Sequence, residues 1–501
     1  MDVNMLSPTD FIVIILYALL MAWVGGIAKR KSQDVDAYFA AGHNLPWWMA
    51  AISHHVSGYS AVVFVGFAGR AATAGFSMWT LFSLSCFIAM MIGCLVWAPR
   101  WSRLKVLTPV EYLEARYGNS VRFLIALCGI GVKFIDLGIK LYAISIIVQT
   151  VTGWAVLPVV LVAGIITVAY VLIGGLWAAV LTDLIQFVVQ LIISSIVLYL
   201  VLDNIGGWNP LWEQLPAERS AFFNAEAGIG IDFWLVYLIV VIFSYNGATW
   251  GLAQRFISVS DPRDTQKAAL LSGFLYLLYP IVIFLPAWAA PLILTEYFDP
   301  VTLTPLPGFD LQQTYVLMAQ RVLSELMPGL IGLLICSMFA ATMSMIDSDL
   351  NALAAVFTKD IYQRNIKREW TQQTLFRVGK IITLIFGIAI IITGIIITES
   401  KGAEKVFTAT VQIFGALLSP IAIPLMFGML FRKPTARGAI LALAGGLMTY
   451  AILVQITDNF AIYTGGEILV GLCLYFGEGW IGTRTLEKEK EVKNLFDKLT
   501  S

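Results

Sequence analysis

Apolar runs of about 18 residues or more, the length that crosses a bilayer as helix, recur along the whole chain. Thirteen spans are predicted: 11–28, 47–69, 76–98, 121–150, 154–174, 178–202, 233–254, 268–294, 326–357, 377–398, 406–430, 436–456 and 464–482. Two of them are interrupted. The first carries Ser53-His54-His55-Val56-Ser57-Gly58-Tyr59-Ser60 near its middle, and the other carries Ser244-Tyr245-Asn246-Gly247-Ala248-Thr249. An unpaired peptide group in hydrocarbon costs several kcal/mol, so such patches mark unwound backbone facing protein, ion or solute. Breaks at corresponding places in successive sets of helices point to a transporter's binding site. The pattern predicts an all-α membrane protein that carries a solute.

Composition agrees. The 501 residues are 59% hydrophobic and 13% charged, against about 25% charged in soluble domains. Most of the chain is therefore expected to face lipid or other apolar helices. The formal net charge is zero, which gives no reason to expect a nucleic-acid partner, and no segment calls for an obligate protein partner. Cys86, Cys94, Cys128, Cys336 and Cys473 all fall inside apolar spans without metal spacing and read as small hydrophobes. No Walker A sequence is present, so transport must draw on a gradient.

Met1 to Asp10 hold no Lys or Arg, whereas Lys29, Arg30 and Lys31 follow the first span. A secretory signal begins with basic residues, so the first span is expected to be a permanent helix with its N-terminus outside. An odd count then leaves the C-terminus in the cytoplasm. Cytoplasmic loops, adjoining span ends and the tail hold 25 of the 32 Lys and Arg residues, as the positive-inside rule requires. The tail, 483–501, mixes Lys and Glu and is expected to be solvated. External stretches 205–232 and 298–325 carry Trp208, Trp212, Phe222 and Phe223, expected to act as interfacial anchors or to pack over the external mouth.

Lys133, Asp136 and Lys140 share one face of span 121–150. Charges there are too costly to face lipid, so they either neutralise one another or meet the solute. Adjacent His54 and His55 point about 100° apart on a helix and cannot easily hold one ion together; they are expected to pack or line the inner vestibule.

Three motifs resemble the sodium/solute symporter family, whose best-known members are the sodium–glucose cotransporters. They are Asp36-Ala37-Tyr38-Phe39-Ala40-Ala41-Gly42-His43, then Thr108-Pro109-Val110-Glu111-Tyr112-Leu113-Glu114-Ala115-Arg116-Tyr117-Gly118, and the stretch Ala340 to Asn351 followed by Phe357-Thr358-Lys359-Asp360-Ile361-Tyr362. Gly174-Gly175-Leu176-Trp177 and Gln254-Arg255 add to the match. The resemblance implies the leucine-transporter-type fold with a 5+5 inverted repeat. Residues 47–202 would form the first repeat and 233–430 the second. Span 11–28 is then an extra N-terminal helix and 436–482 two extra C-terminal helices, making 1–482 one transmembrane domain.

It also implies sodium as the co-transported ion, held by carbonyls of Val56, Tyr59 and Ala341 and the hydroxyl of Ser344. Freed carbonyls at a helix break suit a hard cation. Met345 stands where the family usually has a second hydroxyl, and a thioether is a poor ligand for sodium. Asp183, Asp347 and Ser348 fall where some members bind a second sodium; a proton could take its place if the two carboxylates lie close together. Asp349 is expected to cap helix packing or pair with a cytoplasmic Arg.

For the solute, Gln412 matches a glutamine that contacts sugar in the sugar carriers, or else it bonds a helix broken near Ser419-Pro420. Tyr245 matches their inner-gate tyrosine. Val62, Val63 and Phe82 replace polar residues, and Tyr276 replaces a lysine, which argues against glucose or galactose in the same pose. Asn246, Thr249, Ser57, Ser60, Asp136, Lys140 and Tyr276 remain candidate contacts. The expectation is a sodium symporter importing a small polar solute, a sugar or sugar derivative, by alternating access. A carboxylated solute, and a passive uniporter or channel, are the alternatives.

Overall fold

The computed structural model describes residues 6–28, 34–324, 326–366, 371–399 and 406–500. Lys29, Arg30 and Lys31, used above for orientation, lie outside them. The described chain is helical throughout, apart from two isolated β-bridges in the external stretches.

Ten helices are long and apolar enough to cross a membrane by length and composition. We label the elements α1 (Pro8–Ala28), α2 (Trp47–Ser57), α3 (Val63–Ala74), α4 (Ser77–Val96), α5 (Asn119–Thr152) and α6 (Val156–Ile205). They continue with α7 (Ile231–Ala248), α8 (Trp250–Ile257), α9 (Pro262–Ile293), α10 (Leu330–Val356), α11 (Gln372–Glu399) and α12 (Val406–Phe427). The last three are α13 (Ala436–Leu453), α14 (Phe460–Ile481) and α15 (Leu486–Thr500). Three of the thirteen expected spans fall outside the ten. Span 47–69 is split into α2 and α3, span 121–150 (α5) carries internal charges, and span 154–174 is represented by a shorter apolar helix, Val156–Ala169, divided from 178–202 by a kink at Gly175.

Within α6 the helix is interrupted at Gly175, whose φ of 56° and ψ of −154° lie outside the helical range and favour glycine. A Cβ there would also lie 2.6 Å from the Tyr38 carbonyl oxygen, so the Gly174-Gly175 pair is the hinge between two spans. The most enclosed element is α10, buried along nearly its whole length. Its N-terminal turn is capped by Asp10 of α1, which accepts from the Gly332 amide at 2.7 Å. The outer rim is apolar: Ile381, Leu384, Ile385, Ile388, Ile392 and Ile396 make one exposed stripe on α11, the face a lipid-bathed helix presents.

Stretches 205–232 and 298–325 pack on the helices instead of lying apart. Arg219 donates to the carbonyls of Ala72 (3.0 Å) and Leu303 (2.6 Å), joining both stretches to the end of α3. Trp212 stacks near Trp288 with ring centres 5.1 Å apart, and Phe222 meets Phe76 at 5.3 Å.

On the opposite face, α15 corrects the expectation of a solvated tail. Val492, Leu495, Phe496 and Leu499 are buried, and Phe496 lies under the guanidinium of Arg432 at 4.9 Å. Lys488 reaches the Glu114 carbonyl at 2.7 Å. The Glu114 carboxylate joins Arg122 of α5 at 2.5 Å and Arg364 just beyond α10. The hydrogen bonds from Arg364, aided by Arg122, hold its carboxyl at about 2, below the ordinary 4.5.

A carboxylate depressed in the folded state contributes stability above its unfolded value, and that contribution fades as pH falls from 4.5 towards 2. Glu114→Gln is expected to cost about 1 kcal/mol at neutral pH, a small figure because the group is partly exposed. Thermal midpoints in detergent should show the deficit shrinking below pH 4.5; a deficit constant with pH would contradict this role.

Candidate functional site

Between α2 and α3, residues 58–60 leave the helical ladder, and between α7 and α8 Thr249 is extended. Each break satisfies the other. The Tyr245 hydroxyl donates to the Gly58 carbonyl at 3.1 Å. His54 Nε2 lies 3.2 Å from the Tyr245 carbonyl oxygen. A carbonyl can only accept, so Nε2 carries the proton and Nδ1 accepts from Ser272 at 3.0 Å. Gly58 is required by close approach: a Cβ would sit 1.8 Å from the Tyr276 hydroxyl, which donates to the His54 carbonyl at 2.7 Å. His55 is buried among the rings of Tyr59, Tyr276, Tyr279 and Phe187. Both histidines therefore pack within the protein.

The predicted cation residues lie on α2, on the break that follows it, and on α10, which meet through Ser57 and Ser344. Val56, Tyr59, Ala341 and Ser344 are all buried, and Ser57 Oγ is 3.1 Å from Ser344 Oγ. The Ala61 amide donates to Thr342 Oγ1 at 2.8 Å, fixing the break against α10. Met345 lines the neighbouring cavity.

One turn further along α10 lies a second group, with a member that the sequence analysis gave no role. Arg255 of α8 is fully buried. Its Nε donates to Ser53 Oγ at 3.0 Å, and its Nη2 to Ser57 Oγ (3.1 Å), Ser348 Oγ (2.5 Å) and Asp183 Oδ2 (3.3 Å). Ser53 also donates to that Asp183 oxygen. Asp347 Oδ1 accepts from Ser348 at 3.1 Å. Among the described residues Asp183 Oδ1 and Asp347 Oδ2 have no hydrogen-bond partner although both are buried. Asp183 meets the guanidinium directly and Asp347 is joined to it only through Ser348, and the two unpartnered carboxylate oxygens are donors that suit one further cation. Arg255 was counted with the cytoplasmic loops because it lies just past the apolar run; an arginine one turn beyond a break was the signal available.

The solute candidates separate. A cavity of about 50 Å³ lies between the breaks, with Ser60, Lys140, Tyr245, Thr249 and Met345 among its lining. That space holds a few waters and is well short of the roughly 300 Å³ at which small-molecule pockets begin. Outside it, beyond Phe67 and Phe407 (ring centres 5.0 Å apart), lies a vestibule of about 510 Å³. Five candidates do not line the central cavity. Asn246 donates to the carbonyls of Ala89 and Ile242, both at 2.9 Å, and is turned towards α4. Ser57 belongs to the Arg255 group, Tyr276 to His54, and Gln412 faces the Tyr463 hydroxyl of α14. Asp136 stands behind Lys140 at 2.7 Å.

Lys133, Asp136 and Lys140 form a larger network than the sequence suggested. Lys133 reaches Asp136 and Asp349 at 2.9 Å each, and Lys140 lies 3.7 Å from Asp349. Asp349, expected to cap packing or meet a cytoplasmic Arg, instead faces these lysines and accepts from the Gly251 amide of α8 at 3.2 Å. Two lysines and two aspartates balance, which removes the excess positive charge expected on α5. Removing one partner of a buried pair costs about 3–5 kcal/mol, whereas an apolar replacement of both is nearly neutral. Asp349→Asn should therefore lower the thermal midpoint sharply, and Lys133→Met with Asp349→Leu should recover most of it. An undiminished midpoint in Asp349→Asn would show the network to be dispensable.

A family model described as the sodium:solute symporter family matches residues 38–446. A sodium/sialic acid symporter of Aliivibrio fischeri is 24% identical over 482 residues, covering 92% of this chain and 91% of its own. The sodium/glucose cotransporter of Vibrio parahaemolyticus is 25% identical over 467 residues, covering 88% and 84%. The solved substrate-bound, outward-open structure of a Na+-coupled sialic acid symporter superposes with a TM-score of 0.84 at 20% identity, over 95% of this chain and 98% of that one. This likeness establishes the leucine-transporter-type fold. With broken helices enclosing a cavity beside oxygen-rich clusters, and a family match across most of its length, the chain belongs to the sodium:solute symporter family: it is a sodium-coupled solute carrier, not an enzyme.

Proposed function

We propose that the protein imports a small polar solute, a sugar or sugar-derived compound, together with sodium by alternating access. One observation carries this reading: two helix breaks, hydrogen-bonded to each other, flank a small cavity whose wall residue Phe67 meets Phe407 on the wall of a larger vestibule. Residues 47–202 and 233–430 are the two repeats that rock about that point, within one transmembrane domain of residues 1–482. The N-terminus is outside and α15 is cytoplasmic. Sodium is held by the carbonyls of Val56, Tyr59 and Ala341 and the Ser344 hydroxyl, and a second cation by Asp183, Asp347 and Ser348 beside Arg255.

Among the cavity residues, Ser60, Thr249 and Tyr245 supply hydroxyls that suit a polyol. A carboxylated solute is the second reading, favoured by Lys140, the charged side chain on the cavity wall. The relatives named for sialic acid and glucose fit either. Uptake of labelled glucose and N-acetylneuraminate into proteoliposomes, with and without an inward sodium gradient, tests the proposal. Concentrative uptake only under the gradient is expected; equal uptake in both arms would make the protein a passive carrier.

Met345 leaves the first site one hard ligand short. Met345→Ser restores an oxygen and should lower the half-saturating sodium concentration on the order of tenfold, about 1.4 kcal/mol. An unchanged sodium dependence would place Met345 outside the ion's coordination sphere.

A further inference from the structure

Away from the transport pathway, on the face where α15 docks, an open cleft of about 590 Å³ is lined by Arg103, Lys105, Arg263, Lys498 and the single acid Asp261. These come from three separate segments: the turn after α4, the start of α9, and the last turn of α15. Four basic side chains against one carboxylate give the cleft a formal charge of +3. The acid is already engaged, since Asp261 accepts from the amides of Arg263 (2.7 Å) and Asp264 (3.3 Å) as the cap of α9. Neighbouring acids are also occupied: Asp264 pairs with Lys267 at 2.8 Å and Asp497 with Arg432 at 3.6 Å.

Lys105 donates to Ser260 and Lys498 to Leu104, each at 2.5 Å, and Arg103 donates to Leu499 at 3.2 Å. Partial burial, together with the charge of Lys498, holds the Lys105 ammonium below the usual lysine range. The positive-inside rule distributes basic residues along loops; it does not require residues distant in sequence to converge on one cleft with their charges turned together. Basic clefts between helix ends at the membrane surface suit lipid headgroup phosphates, and a guanidinium with ammonium groups matches phosphate oxygens.

We propose that this cleft binds a phosphate-bearing anion and that the bound anion fastens α15 to the ends of α4 and α9. The shared chemistry is a phosphate group, carried by an anionic phospholipid or by a soluble phosphate. The site lies outside the transport pathway and does not rest on the identity of the solute.

The test uses the full chain purified in detergent, with thermal midpoints measured after adding phosphatidylglycerol, phosphatidylcholine or inorganic phosphate. Phosphatidylglycerol is expected to raise the midpoint more than phosphatidylcholine. Lys105→Gln with Arg263→Gln should lose most of that excess, and high salt should screen it. Lys498→Gln, a single change on the exposed side of α15, should lose part of it and serves if the double variant does not fold. A rise with inorganic phosphate that the same variants abolish assigns the site to a soluble anion. If neither phosphatidylglycerol nor phosphate raises the midpoint beyond the phosphatidylcholine control, or if the variants respond like the parent, the proposal is overturned.

Discussion

A peptide group without a partner in hydrocarbon costs several kcal/mol, and this chain opens two helices where that cost is greatest. The structure meets the constraint by making each break the partner of the other. Tyr245 of the second break donates to the Gly58 carbonyl of the first, and His54 of the first approaches the Tyr245 carbonyl of the second. Gly58 follows from the same arrangement, because the Tyr276 hydroxyl lies where a side chain would go. Within the first break the Val56 carbonyl accepts from the Tyr59 amide at 3.1 Å, and the Ala61 amide is met by Thr342 of α10.

Fixed charge in the interior obeys a similar economy. Lys133, Lys140, Asp136 and Asp349 balance, so they lock α5 to α10 and to the start of α8 at little net electrostatic cost. Arg255 with Asp183 and Asp347 does not balance. Asp347 and Asp349 are only two residues apart on α10, so their side chains point about 200° apart and serve different networks. One turn of one helix therefore separates a structural charge group from an imbalanced one, and only the imbalanced one has reason to attract a mobile cation.

The apolar spans and both breaks were legible in the sequence because burial in lipid writes them as long runs with polar interruptions. Partners distant in sequence were not. Asp349 meets Lys133 across 216 positions, and nothing local distinguishes that pairing from a bond to a cytoplasmic arginine. The side-chain directions of Asn246 and Gln412 were also hidden: both sit at the right register, yet one turns to the α4 carbonyls and the other to Tyr463. Arg255 was misplaced because hydropathy ends the span one turn too early. The docking of α15 was readable and overlooked: Val492, Leu495, Phe496 and Leu499 repeat at i, i+3, i+4 and i+7, an apolar stripe beneath the more conspicuous Lys and Glu.

Coupling depends on how close the ion and solute positions are. Ser344 lies within hydroxyl distance of Ser57 beside the first break, and the next residue, Met345, lines the cavity. A change in one turn of α10 is thus felt at both places. One elementary charge crossing about 100 mV supplies roughly 2.3 kcal/mol, and about 1.4 kcal/mol is tenfold in concentration. A single sodium could concentrate a neutral polyol roughly fortyfold from the potential alone. The same ion moving with a carboxylate carries no net charge, and the potential then does no work. For an anionic solute the sodium concentration gradient alone would drive uptake unless a second cation restored net charge movement. The solute's charge and the number of ions carried are therefore one question, decided between Lys140 on the cavity wall and the carboxylates around Arg255.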